Sequence, residues 1–294
     1  MHSIGRFAPS PSGLLHFGSF ITALASYLQA KAKQGEWLVR IEDLDPPREV
    51  AGAAKHILTT LEKLGLHWDK EIVYQSARLD EYQHILDQLV QQKRAYYCDC
   101  SRQRIQHLPH HLYDNHCQNR HLKPSVDNSM AIRLKQNHPI CHFIDNIRGR
   151  QNITQAVARE DFTIKRKDNL FAYNLAVVID DHYQGVTEIV RGADLLPVTT
   201  KQISLYLLLG WQLPSYYHLP LVLDQNHNKL SKQNHATPIK LDNIGQLMVD
   251  GLRFLGQPIP EDWQDATPQQ LLMWAISHWN IDYVPKYDKM FNYE

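Results

Sequence analysis

The sequence predicts an α/β fold: a parallel sheet built in two halves, an insertion between them, and a small helical region at the C-terminal end. Two strand–helix–strand successions carry this expectation, one within residues 3–42 and one within 185–223. A strand that returns to its own sheet through a helix does so by a right-handed crossover, which leaves the two strands parallel. Between the two successions lie short strand-like pieces and clustered cysteines, which read as an insertion. Parallel strands end on a common edge, and that edge is where ligands bind in open α/β sheets.

The 294 residues can hold one large domain or two modest ones with ample core. The expected boundaries are 1–94 for the first half of the catalytic unit, 95–165 for the insertion, 166–235 for the second half and 236–294 for the helical region. A hydrophobic fraction of 43% is that of a globular protein. Lys+Arg and Asp+Glu balance at 31 each, which argues against strong nonspecific nucleic-acid binding but leaves room for a local basic patch. No signal peptide precedes the first strand and no apolar run approaches a membrane span, so the expected setting is cytoplasmic, with no membrane partner and a monomeric chain. Four cysteines, three of them close together, suggest a reduced compartment and a metal rather than a disulfide scaffold.

The first strand spans 4–8 and carries Arg6. Pro9 and Pro11 fix two φ angles, and Gly13 tolerates positive φ. A helix follows over about 18–33, with Leu14, Ile21, Leu24, Ala25 and Leu28 as its apolar stripe and Gly35 as its stop. Its N-terminus, pointing out of a parallel sheet, is an anion site; His16 and Ser19 lie in reach and Gly18 permits close approach. Gly13 and Gly18 have the glycine spacing of a P-loop, but Ser19-Phe20 stands where Lys-Ser/Thr belongs, so that reading fails. The second strand, 36–42, ends in the carboxylates Glu42, Asp43 and Asp45. After Pro46-Pro47 a helix is expected over 50–64, and Ser76 reads as the N-cap of a helix with Leu79, Tyr82, Leu86, Leu89 and Val90 on one face.

Cys98, Cys100 and Cys117 form a candidate zinc site that lacks a fourth ligand, with Tyr113, His110, His111 and His116 in position to supply it; Cys141 reads as a core residue. Short strands follow within 131–164. The run 173–181 carries a regular element whose type periodicity does not settle. A strand over 185–191 ends at Arg191, a helix carries Leu195, Thr199, Ile203, Tyr206 and Leu207, and 217–223 is again a strand. It opens into a polar loop with Lys229 and Lys232, where lysines beside a phosphate site would neutralise developing charge. Amphipathic helices are expected over 244–254 and 268–279.

These motifs carry a resemblance. RFAPSPSGLLHFGS at 6–19 resembles the HIGH signature region of class I aminoacyl-tRNA synthetases of the glutamyl type, and KLSKQ at 229–233 resembles the KMSKS loop. RIEDLDPPR, YNLAVVIDDHYQGVTEIVRGADLL and YHLPLVLD are also similar to that family, so the match spans most of 3–235 in order. It departs at Ser19, which replaces the last His of HIGH, and at Gln233, which replaces the last Ser of KMSKS. The chain also ends soon after the loop, with no room for an anticodon-binding domain; together with the Cys-x-Cys insertion this resembles the truncated glutamyl-queuosine tRNA(Asp) synthetase family.

The resemblance implies a Rossmann-like catalytic sheet with a zinc-bearing insertion. It implies activation of L-glutamate by ATP with Mg²⁺, without tRNA, and transfer to queuosine in the anticodon loop of tRNA(Asp). By resemblance, His16 and Gly18 meet the ATP phosphates, and Lys229 and Lys232 stabilise the leaving pyrophosphate. Glu42 takes the substrate ammonium, Arg6, Tyr173 and Arg191 hold its carboxylates, and Phe7, Ala8, Pro9 and Ser10 line the pocket. Zinc is held by Cys98, Cys100 and Cys117, with Tyr113 as the fourth ligand. Two other readings fit parts of the sequence: a short glutamyl-tRNA synthetase that charges a tRNA 3′ end, and a catalytically dead zinc-bearing tRNA-binding module. The absent C-terminal domain argues against the first, and intact His16, Gly18, Lys229 and Lys232 argue against the second.

Overall fold

A computed structural model describes residues 2–124, 129–223, 229 and 237–291. Strand β1 (Ile4–Phe7) leads through the Pro/Ser turn into α1 (Phe17–Ala32), and β2 (Glu36–Ile41) returns parallel to β1, Ile4 facing Glu36 and Phe7 facing Val39. The return is tight at Gly35, where a Cβ would fall 2.2 Å from the Ser3 carbonyl oxygen. After α2 (Ala53–Lys63), β3 (Val73–Tyr74) adds a third parallel strand at the end of β2, giving the order β1-β2-β3.

Next come α3 (Leu79–Gln91), β4 (Ala95–Cys98), α4 (Arg102–Gln106), β5 (Ala131–Leu134), β6 (His142–Asp145), β7 (Gly149–Asn152), α5 (Gln155–Ala158) and β8 (Thr163–Lys165). Here the pairing turns antiparallel: β4-β5-β8 form one small sheet and β6-β7 a hairpin. The hairpin is pinned to the second half of the fold, because Asn146 N–H donates to the Tyr216 carbonyl at 2.9 Å.

That second half comprises α6 (Tyr173–Tyr183), β9 (Glu188–Gly192), α7 (Leu196–Leu209) and β10 (Ser215–Leu219), with β9 and β10 parallel. Thr187 joins the halves: its N–H donates to Ile4 O at 2.9 Å, and its hydroxyl accepts from Ile4 N–H at 2.9 Å. β1 and β9 therefore lie side by side and end on one edge. β11 (Val222–Leu223), α8 (Ile244–Phe254), α9 (Pro268–His278) and β12 (Lys289–Met290) complete the chain.

The largest core wraps α1, which is buried nearly all round: Phe20, Leu24 and Leu28 are at most 1% exposed. The helix can be so apolar because the sheet covers one side and α8 and α9 the other. Gly251 on α8 makes that approach possible, since a Cβ there would lie 2.8 Å from Leu24 and 2.9 Å from Phe20. Trp279 ties the same layer down, its indole N–H donating to Gln29 at 2.8 Å.

Several expectations are corrected. Leu14 precedes α1 and is 40% exposed, and Leu79, at the start of α3, is 45% exposed. Ser76 caps no α-helix; its N–H and hydroxyl donate to Asp43 at 2.9 and 2.6 Å, and a 3₁₀ turn, Gln75–Arg78, leads into α3. Cys141 is exposed rather than part of the core. The run whose type was open is the helix α6, packed on so many sides that its apolar residues show no single stripe.

Candidate active site and cysteine cluster

The common edge of β1, β2 and β9 opens into a cleft of about 520 Å³. Arg6, Phe7 and Ala8 enter it from the end of β1, followed by Pro9 and Ser10. His16 and Gly18 reach it from the start of α1, Glu42 from the end of β2, Tyr173 from the first turn of α6, and Arg191 from β9. Lys229 closes one side, its ammonium 2.6 Å from Asp194 Oδ2. Lys232 lies outside the described residues. The strand–turn–helix geometry puts the α1 N-terminus at the cleft, and His16 caps it, its Nδ1 accepting the Ser19 N–H at 3.3 Å.

The two arginines sit in different surroundings. Arg6 donates from Nε and Nη2 to the two Asp181 oxygens, at 3.1 and 3.3 Å. Arg40, fully buried, touches the same carboxylate at 2.8 Å and Glu42 at 3.4 Å. Burial alone would raise the Asp181 carboxyl; Arg40 and Arg6 outweigh it and hold Asp181 below the ordinary range. For Glu42 the balance is reversed, and burial pushes its carboxyl up despite Arg40 and Arg6. Arg191 touches no carboxylate among the described residues: Nε donates to His218 Nε2 at 3.1 Å and Nη2 to Thr199 Oγ1 at 2.8 Å. Its Nη1 is buried with no partner among the described residues. A buried donor without an acceptor costs free energy unless a ligand supplies one. The cleft therefore sets an unsatisfied cation beside a carboxylate, the polarity that a zwitterionic acid requires.

Away from the cleft, the sulfurs of Cys98, Cys100 and Cys117 all lie within 4.8 Å of one another. Cys100 and Cys117 Sγ are 3.5 Å apart. The Tyr113 hydroxyl joins them, 3.5 Å from Cys98 Sγ and accepting the Cys117 N–H at 2.8 Å. None of His110, His111 and His116 enters this group, and all three are exposed. Cys98 is 0% and Cys117 1% exposed, so the cluster is a satellite core as well as a donor set able to hold a metal ion.

The family of class I tRNA synthetases (E and Q), catalytic domain, matches residues 4–261. A glutamyl-Q tRNA(Asp) synthetase of Photorhabdus laumondii is 56% identical over 287 residues, covering 98% of this chain and 90% of the relative. The chain belongs to the class I tRNA synthetases of the E and Q type. Another glutamyl-Q tRNA(Asp) synthetase, from Escherichia coli K12, is 54% identical over 283 residues, covering 96% of this chain and 91% of the relative. Among solved structures, a glutamate tRNA ligase of Elizabethkingia meningosepticum in complex with its amino acid superposes with a TM-score of 0.81 at 25% identity, covering 99% of this chain and 67% of that one. The chain is thus an ATP-dependent ligase, and its family implies ATP, glutamate and a tRNA as substrates. No described helix of the synthetase is long and apolar enough to cross a membrane.

Sequence reasoning missed the synthetase's buried support. Asp181, Arg40, His218 and Asp145 were not singled out, and Thr199 reads only as part of a helix face, yet all five are at most 1% exposed and set the surroundings of both cleft arginines. One signal was available: Asp180-Asp181 closes an apolar run, where carboxylates need buried partners. The others come from segments distant in sequence, and no local pattern links them.

Proposed function

We propose that this synthetase activates L-glutamate to glutamyl-adenylate without tRNA and transfers the glutamyl group to queuosine in the anticodon loop of tRNA(Asp). The observation that supports this most is the unpartnered, buried Nη1 of Arg191 in a cleft that also holds Glu42. Arg191, Arg6 and Tyr173 hold the two carboxylates, and Glu42 takes the ammonium. Phe7, Ala8, Pro9 and Ser10 shape the wall. The guanidinium fork matches a carboxylate in a way a lysine does not. The α-carboxylate attacks the α-phosphorus of ATP, and pyrophosphate leaves. His16, Gly18 and the α1 N-terminus bind the phosphates, and Lys229 and Lys232 stabilise the departing charge. Mg²⁺ bound with ATP supplies further charge neutralisation.

Zinc suits the cysteine cluster. Tetrahedral Zn–S bonds of about 2.3 Å place sulfurs about 3.8 Å apart, and two of the sulfurs stand at 3.5 Å. Cys98, Cys100, Cys117 and Tyr113 would hold it as a structural ion for the insertion at 95–165, between catalytic halves at 1–94 and 166–235 and ahead of the helical region at 236–294.

Two assays test the reading. Glutamate-dependent ATP–pyrophosphate exchange should proceed with no tRNA present. Labelled glutamate should then pass to tRNA(Asp) that carries queuosine, including tRNA whose terminal adenosine has been removed, and not to tRNA(Asp) lacking queuosine. Transfer that requires the intact 3′ end would favour an ordinary glutamyl-tRNA synthetase instead.

A further inference from the structure

Arg191 does not hold its own position. Its Nε and Nη2 are fixed by His218 and Thr199, and His218 is fixed in turn by a residue from the insertion. Asp145 ends β6, on the hairpin that docks against β10. Its Oδ2 lies 2.6 Å from His218 Nδ1 and accepts the His218 N–H at 3.0 Å. Its Oδ1 accepts the N–H groups of Ile147 and Arg148 at 3.0 and 2.8 Å. Asp145, His218, Thr199 and Arg191 are all buried, none more than 3% exposed.

The hydrogen-bond roles follow from the donor inventory. A guanidinium only donates, so His218 Nε2 must be the acceptor and Nδ1 must carry the proton. Thr199 leaves that lone pair to Arg191, since its own hydroxyl donates to Leu195 O at 2.9 Å. Asp145 is the group that selects this tautomer. We propose that Asp145 is a positioning residue for substrate recognition: it locks His218 as the Nδ1–H tautomer, and His218 then holds Arg191 with Nη1 presented to the cleft. The buried cation is also balanced this way, because the nearest carboxylate acts through a neutral imidazole and leaves the Arg191 fork open to the substrate. Burial pushes the imidazole of His218 down to about 4, with Arg191 and Arg148 adding to the effect and Asp145 opposing it, so the ring is neutral at ordinary pH. The insertion thereby contributes to the amino-acid pocket without touching it.

This inference rests on Arg191 holding a substrate carboxylate, and the test separates the two. In Asp145→Asn the amide oxygen stays on the Ile147 and Arg148 N–H groups and the NH₂ turns to His218 Nδ1. That forces the Nε2–H tautomer and sets one donor against another at Arg191, as a carboxylate-to-amide change does behind a catalytic histidine. Exchange kinetics with separate KM values for glutamate and ATP should show the glutamate KM raised about 10- to 100-fold, the cost of an unmade buried hydrogen bond, with the ATP KM within about twofold. Ring-nitrogen NMR should report the Nδ1–H tautomer for His218 in the wild type and the Nε2–H tautomer in the variant.

His218→Gln keeps an acceptor near Nε2 and should stay closer to wild type than His218→Asn, which keeps only the group near Nδ1. An unchanged glutamate KM in Asp145→Asn, equal defects in the Gln and Asn variants, or an Nε2–H tautomer in the wild type would each overturn the proposal. If Asp145→Asn fails to fold, the last two measurements decide. Should Arg191→Ala leave the glutamate KM unchanged, the carboxylate reading itself is wrong; should it raise that KM while the His218 variants do not, only the positioning role falls.

Discussion

Arg6 and Asp181 form a buried two-point pair, Nε to Oδ1 at 3.1 Å and Nη2 to Oδ2 at 3.3 Å, behind the wall of a cleft whose other arginine, Arg191, has no such partner among the described residues. The pair divides the two arginines by what they do for the fold. Asp181 pairs with both Arg6 and Arg40, and Arg40 also has Glu42 at 3.4 Å and Asp180 at 3.8 Å. Asp181→Ala should therefore cost about 3–5 kcal/mol of stability, because it strands buried charge. Arg191→Ala removes bonds to neutral partners only and should cost less. Urea unfolding of the two variants checks the order, and a larger loss for Arg191→Ala would overturn this account of the charge balance.

For catalysis the ranking inverts. If Arg191 holds a substrate carboxylate as proposed, Arg191→Ala leaves that carboxylate unpaired in a desolvated site, and exchange at limiting glutamate should fall by about 10²–10³, corresponding to roughly 3–5 kcal/mol. Arg191→Lys should recover only part, since a point charge lacks the fork. If Arg191→Ala stays within about threefold of wild type, the effect is that of a surface arginine and the pocket assignment is wrong.

Much of this arrangement was legible in the sequence, and the reason is local. Arg6, Glu42 and Arg191 sit at strand ends, where crossover topology alone brings them to one edge, and His16 follows a Pro/Gly turn that fixes where the helix begins. What could not be read is what depends on contacts between distant segments. Asp145 meets His218 across 73 positions, and Asp181 meets Arg6 across 175. Ser76 shows the limit even for local chemistry: a serine before a helical run reads as a cap, but Asp43, just past the end of β2, offers a stronger acceptor for its hydroxyl.

The pH behaviour should separate activity from folding. Burial raises the Glu42 carboxyl above its ordinary value, so this group, proposed to receive the substrate ammonium, is protonated earlier on acidification than an exposed glutamate. Its folded form holds the proton more tightly than the unfolded chain, so protonating it does not unfold the protein. Asp181, held below its ordinary value, contributes stability that is present above the unfolded aspartate value and lost only as pH falls through the lower, folded one. Exchange activity should thus decline first, in a range where circular dichroism still reports a native fold, and unfolding should follow at lower pH. Simultaneous loss of both signals would contradict the assigned shifts.

The cysteine cluster yields the remaining prediction. The purified synthetase should contain one zinc per chain, and Cys98→Ser should lose most of it, because Cys98 is a fully buried member of the donor set. Tyr113→Phe tests the fourth ligand: a clear fall in zinc affinity assigns the phenolate, and unchanged affinity assigns the position to another ligand or water. No residue of the cluster lines the cleft, so a zinc held there would act on the fold around β4 and not on the adenylate. Glutamate-dependent exchange in Cys98→Ser should then stay within about threefold of wild type, since a closed four-ligand site keeps no open position for chemistry. Thermal melting should nonetheless fall, because a zinc held by Cys98, Cys100 and Cys117 would tie β4 to the segment that follows α4. Elemental analysis together with exchange rates decides the matter: stoichiometric zinc whose removal abolishes exchange in a folded protein would give the metal a direct part in activation.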